Sequence, residues 1–443
     1  MRLPEYAARA LCRLENAGFE AWAVGGCVRD SLRGAEPHDF DLCTAARPEE
    51  MLRVFAGERL IKTGLRHGTL TVLTEGGPLE ITSFRADGSY SDGRHPDGVR
   101  FVSSVRDDLA RRDFTVGAMA WHPERGLCDP FGGREDLENR VLRAVGDPDM
   151  RFTEDALRIL RAVRFASELG FSIEENTAAA MERQAGRLAL IAPERVREEL
   201  TRLLCGRWVQ RTLLGYTAVI GAALPELRPM FGCTQDNPHH CYDVWGHTVR
   251  AVGQVPPEPC LRWAMLLHDS GKPACKTVDE QGVGHFRGHP KASRALAERL
   301  LPRLRFSNED SERILLLVEQ HDRSLGDSDK LVRRRLAQIG EARFRDLLMI
   351  KKGDAVGQNT QPWDVGTLQG TERLLNEVLR QDSCLSLRRL AVNGRDMQTL
   401  GFTGEKIGEM LRFLLDAVLD DPARNDRETL LRLARTEMEE QHG

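Results

Sequence analysis

No stretch of this chain is long and apolar enough to span a bilayer. The longest apolar runs, such as Trp263 to Leu267, fall far short of the ~20 residues a spanning helix needs. The first twenty residues lack the basic-then-apolar layout of a secretory leader and pattern instead as an amphipathic helix. Ten cysteines are present, none in a C-x-x-C pair, which argues against a disulfide scaffold or zinc ribbon and for reduced thiols in the cytoplasm. An excess of one charge is missing too. Sixty-three Lys and Arg against 67 Asp and Glu leave a net charge of −4, which advertises no polyanionic partner, although a whole-chain sum hides local fields. Internal repeats and low-complexity tracts are absent.

What is present is organised in blocks. A length of 443 residues suggests about three domains. Residues 1 to 145 pattern as α and β: a helix, a strand at Ala21–Val24, a glycine turn, a helix from Arg29, and a strand carrying Asp39-Phe40-Asp41. Strands at Thr69–Leu73 and Leu79–Phe84 form a hairpin about Gly76-Gly77. Segment 86–98, rich in Gly and Asp, is expected to be a mobile loop. Beyond residue 150 strand signals vanish and apolar residues recur at helical spacing. Residues 153–170 are expected to form one helix, with Thr153 as N-cap and Gly170 as its stop. Prolines 225 and 229 mark a boundary near 226–240.

Two constellations carry chemistry. In the first, a double glycine, Gly25-Gly26, precedes Asp39 and Asp41. On an extended strand residues i and i+2 share a face, so the two carboxylates would converge, as suits a pair of Mg²⁺ ions clamping a displacement at phosphorus. Glycines let backbone approach phosphates closely. Alone, a turn and two solvated aspartates would look the same. Three later segments add weight: ARRDFTVGAMA (110–120), CDPFGGREDL (128–137) and RFTEDALRILRAVRF (151–165). The second constellation is His247, His268-Asp269 and Asp354 on helical segments, with His289 and His321 nearby. Imidazoles combined with carboxylates suit a divalent metal whose identity stays open.

The order Gly25-Gly26, Arg29-Asp30, Asp39/Asp41, Arg111-Arg112-Asp113, Asp129 to Gly133 and Glu154-Asp155-x-x-Arg158 closely resembles the class II tRNA nucleotidyltransferases, the CCA-adding enzymes related to bacterial poly(A) polymerases. The His/Asp set resembles the HD superfamily of metal-dependent phosphohydrolases. The resemblance implies an α+β nucleotidyltransferase head of polymerase-β type with a mixed sheet at 1–145. It implies an all-α remainder: a neck at 146–225, an HD domain at 226–370 and a tRNA-binding tail at 371–443.

By residue, it implies that Asp39 and Asp41 hold catalytic Mg²⁺ and that Gly25, Gly26 and Arg29 cradle the triphosphate. Arg112 and Asp113 would contact the ribose, while Asp155 and Arg158 would read the base edge with support from Arg161. On one helix, residues i and i+3 share a face. A carboxylate accepts from the exocyclic amino group that C and A carry, and an arginine fork donates to ring acceptors. G and U would leave buried partners unpaired at roughly 1–3 kcal/mol each. His247, His268, Asp269 and Asp354 would hold the HD metal, with His289 and His321 as further ligands. The implied partners are tRNA, CTP and ATP, with no membrane or protein partner.

Gly117 departs from the Asn usual in the family. The segment 83–99 resembles the full-length loop of enzymes that complete CCA. Residues 239–241 (HHC) pattern as a loop, and PERVREEL (193–200) resembles a structural neck motif. Other readings stay open: a poly(A) polymerase, an A-adding or CC-adding enzyme, and an HD phosphohydrolase whose first half only binds RNA.

Overall fold

The structure, a computed structural model, describes residues 1–87, 99–236, 241–358, 366–381 and 384–440. Most of segment 86–98, expected as a loop, and residues 239 and 240 lie outside that set. The chain divides into two compact units, Met1–Pro225 and Glu226–Gly443. Among the described residues no helix is long and apolar enough to cross a membrane.

The first unit is built on a seven-stranded mixed sheet. Its order is Arg59–Ile61, Thr69–Thr74, Gly77–Ser83, Asp41–Thr44, Ala21–Val24, Ala120–His122, Gly126–Cys128. Pairing is antiparallel except between Asp41–Thr44 and Gly77–Ser83. All of Ala21–Val24 is buried, as a central strand covered on both faces must be. Trp22, Val24, Cys43, Phe84, Leu109 and Ala120 form one side of the core. The N-terminal helix, Glu5–Asn16, buries Ala7, Ala10, Leu11 and Leu14, the stripe its amphipathic pattern requires. The hairpin pairs Thr74 with Gly77, so the turn is Glu75-Gly76 and not Gly76-Gly77. Gly76 is required by crowding, because a Cβ there would come 2.2 Å from Tyr6 Cδ1.

The helix expected over 153–170 is two helices. Asp147 caps Pro148–Glu154 by accepting from Asp149 N, which leaves Thr153 inside the helix rather than at its cap. The chain then breaks at Asp155 (φ −141°, ψ 104°) and resumes as Leu157–Leu169, closed by Gly170 at φ +74°. Asp155 Oδ1 accepts from Leu157 N at 3.0 Å. The carboxylate thus captures a backbone donor that a continuous helix would have used, the usual way Asp competes with helix. Strand structure persists past residue 150 as a two-residue pairing of Val141–Leu142 with Ser172–Ile173.

Among its described residues the second unit is helical apart from a small hairpin, Thr277–Val278 with Gly284–His285. Pro259–Leu267 is buried over Cys260 to Leu267, a core helix apolar nearly all round. It ends at Leu267, ahead of Gly271. Pro273 sits in the first turn of the next short helix, Lys272–Cys275. Residue 370 falls inside the continuous helix Gly366–Arg380. At the C-terminal end, Met397, Phe402, Met410, Leu414, Val418 and Leu430 pack as a separate cluster.

Candidate functional site

Asp41 begins the strand Asp41–Thr44, between Val24 on one neighbour and Glu80 on the other. Asp39 precedes the strand and is exposed, so the two do not share one regular strand as expected. They still act on one another. Burial, then the charges of Asp39 and Glu80, push the Asp41 carboxyl up to about 6, with Arg112 pulling the other way. Three carboxylates therefore gather here, one of them sequence reasoning missed. Only the parallel pairing of Asp41–Thr44 with Gly77–Ser83, which no local pattern announces, sets Glu80 against Asp41. A partly buried carboxyl raised by two like charges marks a local excess of negative charge, which fits hard divalent cations with oxygen ligands.

Gly25 stands beside this cluster at φ +75°, and a Cβ on it would meet Arg112 Nη1 at 3.0 Å. Only glycine suits both constraints. At Gly26 the nearest atom to such a Cβ is Arg29 Nη2 at 3.9 Å, so space is available there. Arg29 donates a two-pronged fork to Asp30, Nε to Oδ1 at 2.9 Å and Nη2 to Oδ2 at 2.8 Å. Arg112 donates to Gly117 O and Asp108 Oδ2, each at 3.4 Å. Asp113 accepts from Arg161 Nε at 2.7 Å and from Phe114 N at 2.9 Å. Burial would raise the Asp113 carboxyl, but the Arg161 guanidinium outweighs it and holds the group below the usual range. A Cβ at Gly117 would lie 3.7 Å from Asp113 Oδ1, an ordinary contact. The segment from Asp129 to Gly133 forms a cap: Asp129 accepts from Gly133 N and Arg134 N at 2.7 and 2.9 Å.

Asp155 and Arg158 do not emerge from one helix face, because the break at Asp155 turns it away. Asp155 pairs with Arg195 at 3.1 Å. Arg158, buried to 8% exposure, donates to Glu154 at 2.6 Å, Arg151 O at 3.1 Å and Arg111 O at 3.0 Å. Arg161 bridges Asp113 to Glu199, 3.7 Å away. Glu199 also holds buried Arg164 at 2.5 Å. Arg195 and Glu199 belong to the neck motif, whose alternating charges gave no sign of which partners they reach.

In the second unit the expected ligands converge. His247 Nε2 lies 3.0 Å from Asp354 Oδ1 and 3.3 Å from Asp269 Oδ2. His268 Nε2 lies 3.2 Å from Asp269 Oδ2 and 3.5 Å from Asp354 Oδ1. The two imidazole nitrogens are 3.2 Å apart. Asp269 turns its other oxygen to His289 at 3.3 Å and His321 at 3.7 Å. His268 Nδ1 and His321 Nδ1 are each anchored at 2.7 Å on backbone carbonyls, Met265 O and Val318 O. Both Nε2 atoms therefore point inward, the outer-shell anchoring typical of metal-binding histidines. The donor set, all imidazole nitrogen and carboxylate oxygen within a few ångströms, fits a divalent ion. A cavity of about 320 Å³ opens on the cluster, lined also by Lys272 and His285.

A mixed-sheet head with a carboxylate triad beside a glycine turn defines a nucleotidyltransferase of polymerase type. Residues 21–143 match the model for the poly A polymerase head domain. Residues 170–227 match "Probable RNA and SrmB- binding site of polymerase A", and 239–347 match the HD domain. The CCA-adding enzyme of Limosilactobacillus fermentum is 33% identical over 428 residues, covering 96% of this chain and 94% of that protein. That of Leuconostoc mesenteroides is 48% identical over 203 residues, 46% of this chain and 50% of its own. The crystal structure of the Bacillus stearothermophilus CCA-adding enzyme in complex with CTP superposes over 100% of both chains, with TM-score 0.77 and 28% identity. The chain belongs to the CCA-adding enzyme family.

Proposed function

We propose that this protein adds C, C and A to the 3′ end of tRNA from CTP and ATP, releasing diphosphate at each step. The observation that carries this reading is the gathering of Asp39, Asp41 and Glu80 beside the Gly25 turn, in a chain of this family. The RNA 3′-oxygen forms a bond to the α-phosphorus while the bond to the diphosphate oxygen breaks. Divalent metal, Mg²⁺ in this reading, held by the three carboxylates, would supply charge neutralisation of the triphosphate and of the attacking oxygen.

The chain's own residues do the rest. The Gly25 turn leaves room for phosphate, with Arg29 as the cation beside it. Arg112 and Asp113 address the ribose, while Asp155 and Arg158 address the base edge. The free state of all ten cysteines supports a cytoplasmic setting. Incubation with tRNA lacking CCA, Mg²⁺ and each nucleotide in turn tests the reading: C incorporation followed by a single A supports it, and long A tails without C overturn it.

A second activity, hydrolysis of phosphate esters at the HD cluster, is favoured by the inward-facing His247, His268, Asp269 and Asp354, with His289 and His321 on the far oxygen of Asp269. The buried Lys272, 2.7 Å from Asp269, adds a cation on the cavity wall. Metal analysis of the purified protein together with release of inorganic phosphate from monoesters and 2′,3′-cyclic nucleotides checks it. A metal-free protein that gains neither metal nor activity in Mn²⁺, Ni²⁺ or Mg²⁺ would overturn it.

A further inference from the structure

Phe165 lies on the helix Leu157–Leu169 and is half-buried. Its ring meets elements from three parts of the proposed nucleotide site. The Arg29 guanidinium, from the helix after the glycine turn, lies 5.4 Å from the ring centroid. That of Arg161, the partner of Asp113, also lies at 5.4 Å. Arg164, held by Glu199, lies at 3.9 Å. The ring of Phe114, next to Asp113, packs edge-on at 6.0 Å and 86°. Three guanidinium groups would repel one another in a shared space. An aromatic face offers each a negative quadrupole without adding a charge that would compete with Asp30, Asp113 or Glu199.

We infer that Phe165 is a positioning residue for the incoming nucleotide, its ring fixing the distance between the triphosphate side, at Arg29, and the ribose and base side, at Arg161 and Asp113. This rests on the nucleotide-site reading above. A leucine at this position would keep apolar volume but present no aromatic face, whereas tyrosine would keep the face. The role is independent of which base is bound, so it affects CTP and ATP alike. It also acts on nucleotide rather than on tRNA.

The test uses the full chain with Phe165→Leu, Phe165→Met and Phe165→Tyr, in C and A addition to tRNA lacking the relevant nucleotides. Loss of the partly buried cation–π contacts to Arg29 and Arg161 predicts a rise of roughly 5- to 30-fold in KM for both CTP and ATP in the Leu and Met variants. The KM for tRNA should stay within about twofold, and Tyr should restore the nucleotide KM to within about twofold of the parent protein. Equilibrium binding of CTP without tRNA should weaken by the same factor. Unchanged nucleotide KM in the Leu variant overturns the inference, as does an equal rise for tRNA, or a Tyr variant no better than Leu. The Met variant keeps the comparison open should Leu fail to fold, because its flexible side chain fills irregular space. If the parent protein itself adds no nucleotide, it is the functional reading that fails.

Discussion

Asp155 Oδ2 lies 3.1 Å from Arg195 Nη2, joining the first residue of a helix break to a side chain forty positions later. This contact ties the start of the helix that bears Arg158 and Arg161 to the neck helix Pro193–Leu204. Asp155 uses its other oxygen to accept from Leu157 N, so both the direction of its carboxylate and the start of the helix depend on it. Arg195→Ala should free the Oδ2 side while leaving Oδ1 in place. The pair is partly exposed, worth about 1 kcal/mol or less. We expect C-over-U selectivity to fall by a factor of about 3–5 with melting changed by a degree or two. Single-nucleotide incorporation ratios check this, and unchanged selectivity would detach Arg195 from base choice.

Arg158 is more deeply committed. Its guanidinium satisfies Glu154 and two backbone carbonyls from separate segments. Arg158→Ala would leave Glu154 to Arg151 alone and take a donor from the Arg111 and Arg151 carbonyls, at a cost of roughly 1–3 kcal/mol. The variant should therefore melt earlier as well as lose nucleotide discrimination. Arg158→Lys keeps the charge but not the fork. It should show the loss of discrimination with less of the stability loss. If both variants destabilise and neither changes nucleotide choice, Arg158 is only a brace.

Asp41 gives a prediction with a pH signature. Its folded pKa, about 6, stands above the ordinary carboxylate value of 3.8, so the folded state binds this proton more tightly than the unfolded chain does. The ionised group then costs stability, and the cost grows as pH rises from about 4 to about 6 and stays constant above. In metal-free protein, Asp41→Asn should stabilise the first unit by on the order of 2–3 kcal/mol at pH 8 and by nearly nothing at pH 4. Nucleotide transfer should be lost while any HD hydrolysis survives. Thermal melts across pH, with and without Mg²⁺, read the effect. A variant less stable than the parent at pH 8 would contradict the clustering of negative charge.

Gly25 and Gly117 should differ sharply. Gly25→Ala places a methyl group 3.0 Å from Arg112 Nη1 at a backbone angle that L side chains rarely adopt, at a cost of order 1–3 kcal/mol. Nucleotide KM should rise at least tenfold. The Cβ of Gly117→Asn makes only an ordinary contact with Asp113 Oδ1 and carries no left-handed backbone strain, so the variant should fold normally and change nucleotide affinity by a few-fold at most. Parallel KM measurements on the two variants check the contrast.

Several features were legible from local pattern. The strand Ala21–Val24, the stop at Gly170 and the amphipathic first helix follow from a short apolar run, a left-handed glycine and a helical stripe, all of which act over a few residues. The His/Asp cluster of the second unit was legible as a set of residue types, though its convergence needed the packing of several helices. The break at Asp155 was not. Its segment is rich in good helix formers, and only the carboxylate's capture of Leu157 N and Arg195 interrupts them. Glu80 escaped notice because it looks like any exposed strand residue until the parallel register sets it against Asp41.

By itself, then, the sequence determined the chemical inventory: the carboxylates and glycine turn proposed for nucleotidyl transfer, the imidazole and carboxylate groups proposed to hold a metal in the HD domain, and the mixed head followed by helices. Local propensity and side-chain chemistry are properties of short segments and need no partner to be expressed. Tertiary structure alone decided the relationships: Glu80 beside Asp41, Asp269 serving two groups of histidines with its two oxygens, Arg195 on Asp155, and Arg29 on the ring of Phe165. Each of these joins residues far apart in the chain through strand register or helix packing, and no spacing rule along a sequence carries that distance.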